Sequence, residues 1–317
     1  MRHHPLEVWI GFTAVIVVLL VLDLFVLNRK AHVPSLKESM WWTGGLVTLA
    51  GLFGLFLLKR EGTDAMLEYY TGYLLELSLS VDNLFVFILL FQYFAVPPAL
   101  RTKVLHWGIL GAIVMRAIMI VAGAVLLQRF EWIIYLFGGI LVITGVRMFR
   151  DKEEEVHPER NPLLTMLGKI VPVCAGYEED KFFLRTSAGK LMATPLLVVL
   201  LMVEWTDLVF AIDSIPAVYG ITRDPFIVYS SNIFAILGLR ALFFLLAGVM
   251  DKFRYLKPGV ALILVFVGVK MMLSHWWHPP TSVSLGAIGG ILLGAIVLSL
   301  VKAPKVAEEG RLPGAPE

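Results

Sequence analysis

The sequence predicts an all-α, polytopic membrane protein of about nine transmembrane helices, with two inverted three-helix repeats at its centre. Three observations predict it. The 317-residue chain is 58% hydrophobic with a mean hydropathy of +0.80, far outside soluble averages. Apolar runs long enough to cross a hydrocarbon core of about 30 Å recur along it. Five acidic side chains, Glu76, Asp82, Glu204, Asp207 and Asp213, lie inside two of those runs. A carboxylate at the bilayer centre costs about 2.5–3.5 kcal/mol on insertion scales, so five uncompensated ones would cost roughly 12–17 kcal/mol. A cation is the natural neutraliser for clustered oxygens.

In chain order the runs are 7–27, 41–58, 66–94, 105–127, 132–149, 194–220, 226–249, 258–276 and 282–301. The first is not a cleavable signal, because Glu7 sits in its leading segment and Asn28-Arg29-Lys30 follows as a stop-transfer flank. The third is too long for one straight, untilted span. Five segments follow. Residues 1–65 hold peripheral helices 1–2, 66–149 the first repeat (helices 3–5) and 150–193 a connecting loop. Residues 194–276 hold the second repeat (helices 6–8), and 277–317 hold helix 9 and a tail.

Most of the 27 Lys and Arg fall in the odd-numbered loops and the C-terminal tail. Cytoplasmic loops carry that excess, which predicts an outside N-terminus and a cytoplasmic C-terminus. The loop from Arg150 to Ala193 then lies in the cytoplasm. Its mixed-charge run Arg150–Glu155 and its acidic group Glu178-Glu179-Asp180 read as a solvated connector. The tail from Ala303, rich in Pro, Gly and Glu, has a disordered composition. The single cysteine, Cys174, forms no intrachain disulfide. A net charge of +2, made mostly of topology signals, gives nucleic-acid binding no support. Trp41, Trp42, Trp276 and Trp277 fit interfacial belts, and the pairs Gly44-Gly45, Gly138-Gly139 and Gly289-Gly290 would let helices approach closely. Asp23, near the inner end of span one, reads as an interfacial or capping residue.

The two acidic segments match each other. Glu76-Leu-Ser-Leu-Ser-Val-Asp82-Asn83 parallels Asp207-Leu-Val-Phe-Ala-Ile-Asp213-Ser214, an acid, five residues, Asp, then a small amide or hydroxyl. Downstream, Arg116 in Ile-Val-Met-Arg-Ala parallels Arg240 in Leu-Gly-Leu-Arg-Ala, and Thr144-Gly-Val-Arg147-Met parallels Val267-Gly-Val-Lys270-Met. Span three enters from outside and span six from the cytoplasm, so the copies are inverted. That is the plan of secondary transporters whose ion site lies at mid-membrane between the repeats.

At 100° per residue, Glu76 shares a helix face with Asn83, and Asp207 with Ser214, whereas Asp82 and Asp213 point about 120° away. Intact helices would not converge all the carboxylates. Broken or distorted helices at 82–83 and 213–216 would, and Pro216 frees the carbonyl of Ile212. The donors are hard oxygens, the set for Ca²⁺, Mg²⁺ or Mn²⁺. None of the seven histidines lies near these motifs in the sequence, and Met202 could add a thioether. Five acids against Arg116 and Arg240 leave a charge of about −3, and one divalent cation leaves about −1. A carboxylate that releases its proton when metal arrives would couple the two flows. Arg116, Arg240 and Lys270 are gating or charge-balancing residues; the alternative reading makes them partners in structural ion pairs. No nucleophile and base stand together near water, so the reading is not an enzyme.

At Glu76–Asn83 and at Glu204-Trp-Thr-Asp207-Leu-Val-Phe-Ala-Ile-Asp213-Ser214 the chain closely resembles the TerC family, and its Alx-type manganese exporters in particular. The resemblance runs from about residue 6 to 302. It implies a bacterial inner-membrane protein of the LysE-like transporter group that exports Mn²⁺, with no prosthetic group. Its intramembrane acids correspond to Glu76, Asp82, Glu204, Asp207 and Asp213, with Asn83 and Ser214 adjoining. Some members are linked instead to calcium or to metal loading of exported proteins.

Overall fold

The computed structural model describes residues 4–22, 35–130, 132–150, 172–174, 176–177, 180–185, 191–247, 255–276 and 279–301; the side chains of Asp82, Phe85 and Arg150 are outside that description. Asp23, the run 151–155, Glu178, Glu179, Trp277 and the tail lie outside the described residues. Among the described residues, ten helices and one hairpin follow in order: α1 (Leu6–Val21), α2 (Leu36–Glu61), α3 (Thr63–Tyr93), α4 (Pro98–Arg129), α5 (Ile133–Arg150), β1 (Phe183–Arg185), β2 (Leu191–Ala193), α6 (Pro195–Tyr219), α7 (Pro225–Leu237), α8 (Leu239–Ala247), α9 (Leu256–Met272) and α10 (Thr281–Val301). The chain is therefore helical and polytopic. Among the described residues, α2, α3, α4, α6 and α10 are long and apolar enough to cross a bilayer. A sixth span is added if α7 and α8, bent by 41°, count as one. The first, fifth and eighth predicted spans correspond to shorter helices of 16, 18 and 17 residues.

Local chemistry sets the helix starts. Ser35 caps α2 in a reciprocal capping box with Glu38: the Glu38 N–H donates to Ser35 Oγ at 3.2 Å and the Ser35 N–H to Glu38 Oε2 at 3.4 Å. Asp224 caps α7, accepting from the Phe226 N–H at 3.0 Å, and Pro225 opens the helix where its missing donor costs nothing. Gly62 alone separates α2 from α3, at φ +94°, a region that side chains with a Cβ disfavour.

Helix α3 runs through the middle of the bundle. Three-quarters of its most apolar stretch is buried inside the protein, against 17% for α2 and 22% for α10. Around it the apolar side chains form two clusters, one toward each end. The first joins Leu75 and Leu79 to Ile120 and Ala124 of α4, Ala211 and Ile215 of α6, and Val228 of α7. The second joins Leu84 and Leu90 to Leu105 and Ile109 of α4, Val199 and Val203 of α6, and Ile236 of α7. A third cluster ties α1 and α2 to the start of α3 and to α7.

Side-chain contacts sort the element ends. At one end His4 meets Asp224 and Glu61, Thr222 donates to Glu68 at 2.7 Å, and Lys270 donates to Ser284 at 3.0 Å. At the other, Tyr177 donates to the Phe94 carbonyl at 2.8 Å and Lys103 pairs with Asp180 at 3.2 Å. The N-terminus and the 219–225 turn thus share one end, and the 94–98 turn and the β-hairpin segment share the other.

The predicted breaks at 82–83 and 213–216 are absent. Both α3 and α6 are continuous α-helices through those positions. Pro216 lies in the last turn of α6, where few hydrogen bonds remain to be disturbed. The break falls instead at Gly238, between α7 and α8.

Candidate functional site: an arginine-centred polar layer

Between the two apolar clusters lies a thin polar layer. On α4 it falls between Ile109 and Ile120, on α6 between Val203 and Ala211, and on α7 between Val228 and Ile236. Its centre is Arg116, which has no exposed surface. The guanidinium holds Asp207 through two bonds, Nε to Oδ2 at 3.1 Å and Nη2 to Oδ1 at 2.8 Å. Its Nη1 pairs with Glu76 Oε1 and reaches Ser214 Oγ at 3.4 Å. A planar donor fork suits this two-sided grip on carboxylates. Glu76 and Asp207, the leading acids of the two matched motifs, thus meet on one cation from two different helices. Ser214 joins them because seven residues bring it back to the face of Asp207.

The layer is not fully satisfied. Glu76 Oε2, Ser80 Oγ and Asn83 Nδ2 are buried without a hydrogen-bond partner. These three residues follow one another down a single stripe of α3 at i, i+4 and i+7. Buried polar atoms left unpaired are costly, which makes such a run of them a mark of a site and not of a core.

Of the other predicted residues, Asp213, Glu204, Arg240 and Lys270 make no hydrogen bond or ion pair with Arg116, although Glu204 is only one turn before Asp207 on α6. Asp213 is half-buried and accepts from Thr144 Oγ1 of α5 at 3.1 Å. Glu204 is half-buried against Gly111, at an apolar groove between α4 and α6 that Trp107, Met115, Leu200 and Leu208 also line. With α6 unbroken, Asp213 sits about 120° round the helix from Asp207, which keeps the two acids separate. Arg240 is buried and bonds His106 at 2.7 Å, a contact that sequence distance concealed. Lys270 is half-buried at the end of α9, on Ser284. The backbone of Asp82 belongs to α3, and its side chain lies outside the description. Among the described residues no three His, Cys, Asp or Glu side chains are grouped to hold a metal ion together. In this arrangement Glu76 and Asp207 close on Arg116.

Sequence reasoning gave Thr144, part of a repeat motif, no role as a partner of Asp213, and it did not single out Asn232, which is buried with both side-chain polar atoms unpartnered. Asn232 follows Tyr229-Ser230-Ser231, a polar run in an otherwise apolar span, and that run was the signal available.

Residues 61–307 match the model of the integral membrane protein TerC family. The chain belongs to the TerC family. This TerC protein is 48% identical over 294 residues to an uncharacterised membrane protein of Myxococcus xanthus, covering 93% of this chain and 92% of the other. It is 47% identical over 300 residues to the Alx protein of Salmonella typhi and 45% identical over 300 residues to that of Escherichia coli K12, covering 92% of this chain and 93% of each relative. Both relatives carry the provisional description of membrane-bound redox modulator. No solved structure matches significantly.

Proposed function

We propose that this TerC protein exports a divalent cation, Mn²⁺ first, across the bacterial inner membrane by alternating access, in exchange for protons. The single observation that carries the reading is the polar layer: two buried carboxylates from different helices share one guanidinium, with an orphaned carboxylate oxygen beside them. A guanidinium bound this way is a counter-ion for the empty state. A divalent cation entering the layer would compete with Arg116 for Glu76 and Asp207, and Ser214, Ser80 and Asn83 would add neutral donors. Hard oxygens favour Mn²⁺, Ca²⁺ or Mg²⁺ over thiophilic ions. Asp82, Asp213 and Glu204, strung along the same two helices, would serve as further ligands or proton carriers on the path.

The topology that goes with this reading is nine spans, N-terminus outside and C-terminus cytoplasmic, with α3–α5 and α6–α9 as inverted repeats. Exchange of the repeat conformations would then bring Arg240, the counterpart of Arg116, onto the same carboxylates in the opposite-facing state, releasing Arg116. Alternating access would be an exchange of arginines.

A second reading in the same class is a Ca²⁺ or broad divalent cation exporter, since the donor set does not separate these ions. A different class is a membrane factor that metalates exported proteins without transport. A thiol–disulfide relay within one chain needs two cysteines and this sequence has one, which places the redox description of the relatives behind the cation reading. The test is uptake of Mn²⁺, Ca²⁺, Mg²⁺ and Zn²⁺, in parallel, into inside-out vesicles. The reading expects Mn²⁺ uptake that an imposed proton gradient stimulates. Uptake of none of the four ions removes it.

A further inference from the structure

The polar layer has a fourth wall. Helices α3, α4 and α6 contribute Glu76, Arg116 and Asp207, and α7 packs against both α3 and α4. On α7 the position between the two apolar clusters is taken by Asn232, one turn from Val228 of the first and one turn from Ile236 of the second. The same interval holds Arg116 on α4 and Asp207 on α6.

Asn232 is fully buried, and both its side-chain oxygen and its side-chain nitrogen lack a hydrogen-bond partner. Its neighbours contrast with it. Ser230 Oγ donates to the Ile227 carbonyl at 3.3 Å and Ser231 Oγ to the Val228 carbonyl at 3.2 Å, so both hydroxyls are satisfied by their own helix. The Asn232 amide takes no such bond from its own helix.

The contact between α7 and α3 fixes its level. Gly72 of α3 lies so close to Ser231 that a Cβ there would stand 3.0 Å from Ser231 Oγ. Both helices begin at the end where Thr222 meets Glu68, so they run the same way. One turn further along α3 from Gly72 comes Glu76, on the same stripe as Ser80 and Asn83. Asn232 stands one residue beyond Ser231, within that turn. The orphaned amide of α7 therefore sits at the level where the orphaned oxygens of α3 begin.

We propose that Asn232 is a further ligand of the transported cation, giving its side-chain carbonyl oxygen from α7 to the layer that holds Glu76 and Asp207. The proposal rests on the cation reading above. A carboxamide is the suitable donor here. It raises the number of oxygen ligands, as Asn does in oxygen-ligated sites for hard cations, and adds no negative charge to carboxylates that Arg116 must balance when the cation leaves. A residue kept only for packing would be apolar at this position, because an unpaired buried amide weakens the fold.

The experiment is calorimetric titration of MnCl₂ into the purified full chain in detergent, with thermal melting of the metal-free protein alongside. Wild type, Asp207→Asn, Asn232→Leu and Asn232→Asp are compared. Asn232→Leu is expected to bind Mn²⁺ about tenfold or more weakly. Its metal-free form is expected to melt no lower than wild type, since an unsatisfied amide gives way to an apolar group of similar volume. Asn232→Asp restores an oxygen and is expected to recover binding. Wild-type affinity in Asn232→Leu overturns the assignment, and so does a loss that Asn232→Asp leaves unrepaired or a drop in the melting temperature of metal-free Asn232→Leu. If wild type binds no Mn²⁺, the cation reading itself fails. If wild type binds, Asp207→Asn does not, and Asn232→Leu matches wild type, only Asn232 is removed from the site.

Discussion

Arg116 joins Asp207 through two bonds and Glu76 through a third, with no exposed surface on the arginine. Its truncation would leave two buried carboxylates without a counter-ion. Arg116→Leu is expected to destabilise the protein by about 3–5 kcal/mol, seen as a lowered melting temperature in detergent. Adding Asp207→Asn to Arg116→Leu should recover part of that loss, and strict additivity of the two effects would refute the coupling. For cation binding the order reverses: Asp207→Asn and Glu76→Gln should each abolish it, because they remove the charge that attracts the ion. The sequence made Glu76, Asp207, Ser214 and Arg116 legible, since charges in apolar runs are rare and a 100° rotation per residue puts Ser214 under Asp207. Ion pairing of the acids with Arg116 was one of the two readings it offered; that Glu76 and Asp207 both meet on this one guanidinium was not legible. Which arginine faces which acid depends on how three helices are rotated about their axes, and no single helix encodes that. Asn232 escaped for a related reason, an uncharged residue being a weaker signal in a membrane span than a carboxylate.

At the scale of the element, close approach between α5 and α9 depends on two glycines facing each other. A Cβ at Gly268 would stand 2.7 Å from the Gly138 carbonyl oxygen, and one at Gly138 would stand 2.8 Å from that of Gly268. Gly268→Val should force these backbones apart and lower the melting temperature by several degrees, whereas Gly139→Val, which meets nothing within 4 Å, should be near neutral. Of the glycine pairs the sequence singled out, Gly138 makes a close helix approach; Gly44, Gly45 and Gly290 meet nothing within 4 Å, and Gly289 meets only Leu74, at that limit. A glycine pair advertises room for a neighbour without saying which residue of the pair faces it. The proline was misleading in the same way. Pro216 implied a broken helix, yet it lies in the final turn of α6, so Pro216→Ala should leave helix content and cation binding nearly unchanged by circular dichroism and calorimetry. The bend at Gly238 was not legible from composition, because a lone glycine in an apolar span is common in membrane helices.

For the whole molecule, His4–Asp224 and Thr222–Glu68 gather at one end of the bundle and Tyr177–Phe94 at the other, as the proposed topology requires. Cys174, on the Tyr177 side, is half-buried and is the only thiol in the chain. A membrane-impermeant maleimide should therefore label it in inside-out vesicles and not in intact cells, and the reverse pattern would invert the proposed orientation. Length and composition made the helical, membrane-embedded class legible from the outset. The number of spans is harder to read, because α1 and α9 are close to the shortest lengths that cross a bilayer and α7–α8 is bent. The account as a whole stands on movement of a divalent cation past the carboxylates that Arg116 holds. The most direct measurement is Mn²⁺ flux into proteoliposomes containing only this protein, under an imposed pH gradient, for wild type and Asp207→Asn reconstituted at equal density. The account predicts gradient-driven flux in wild type and none above empty liposomes in Asp207→Asn. Equal flux in the two proteins would contradict it, and so would wild-type protein that binds Mn²⁺ without moving it.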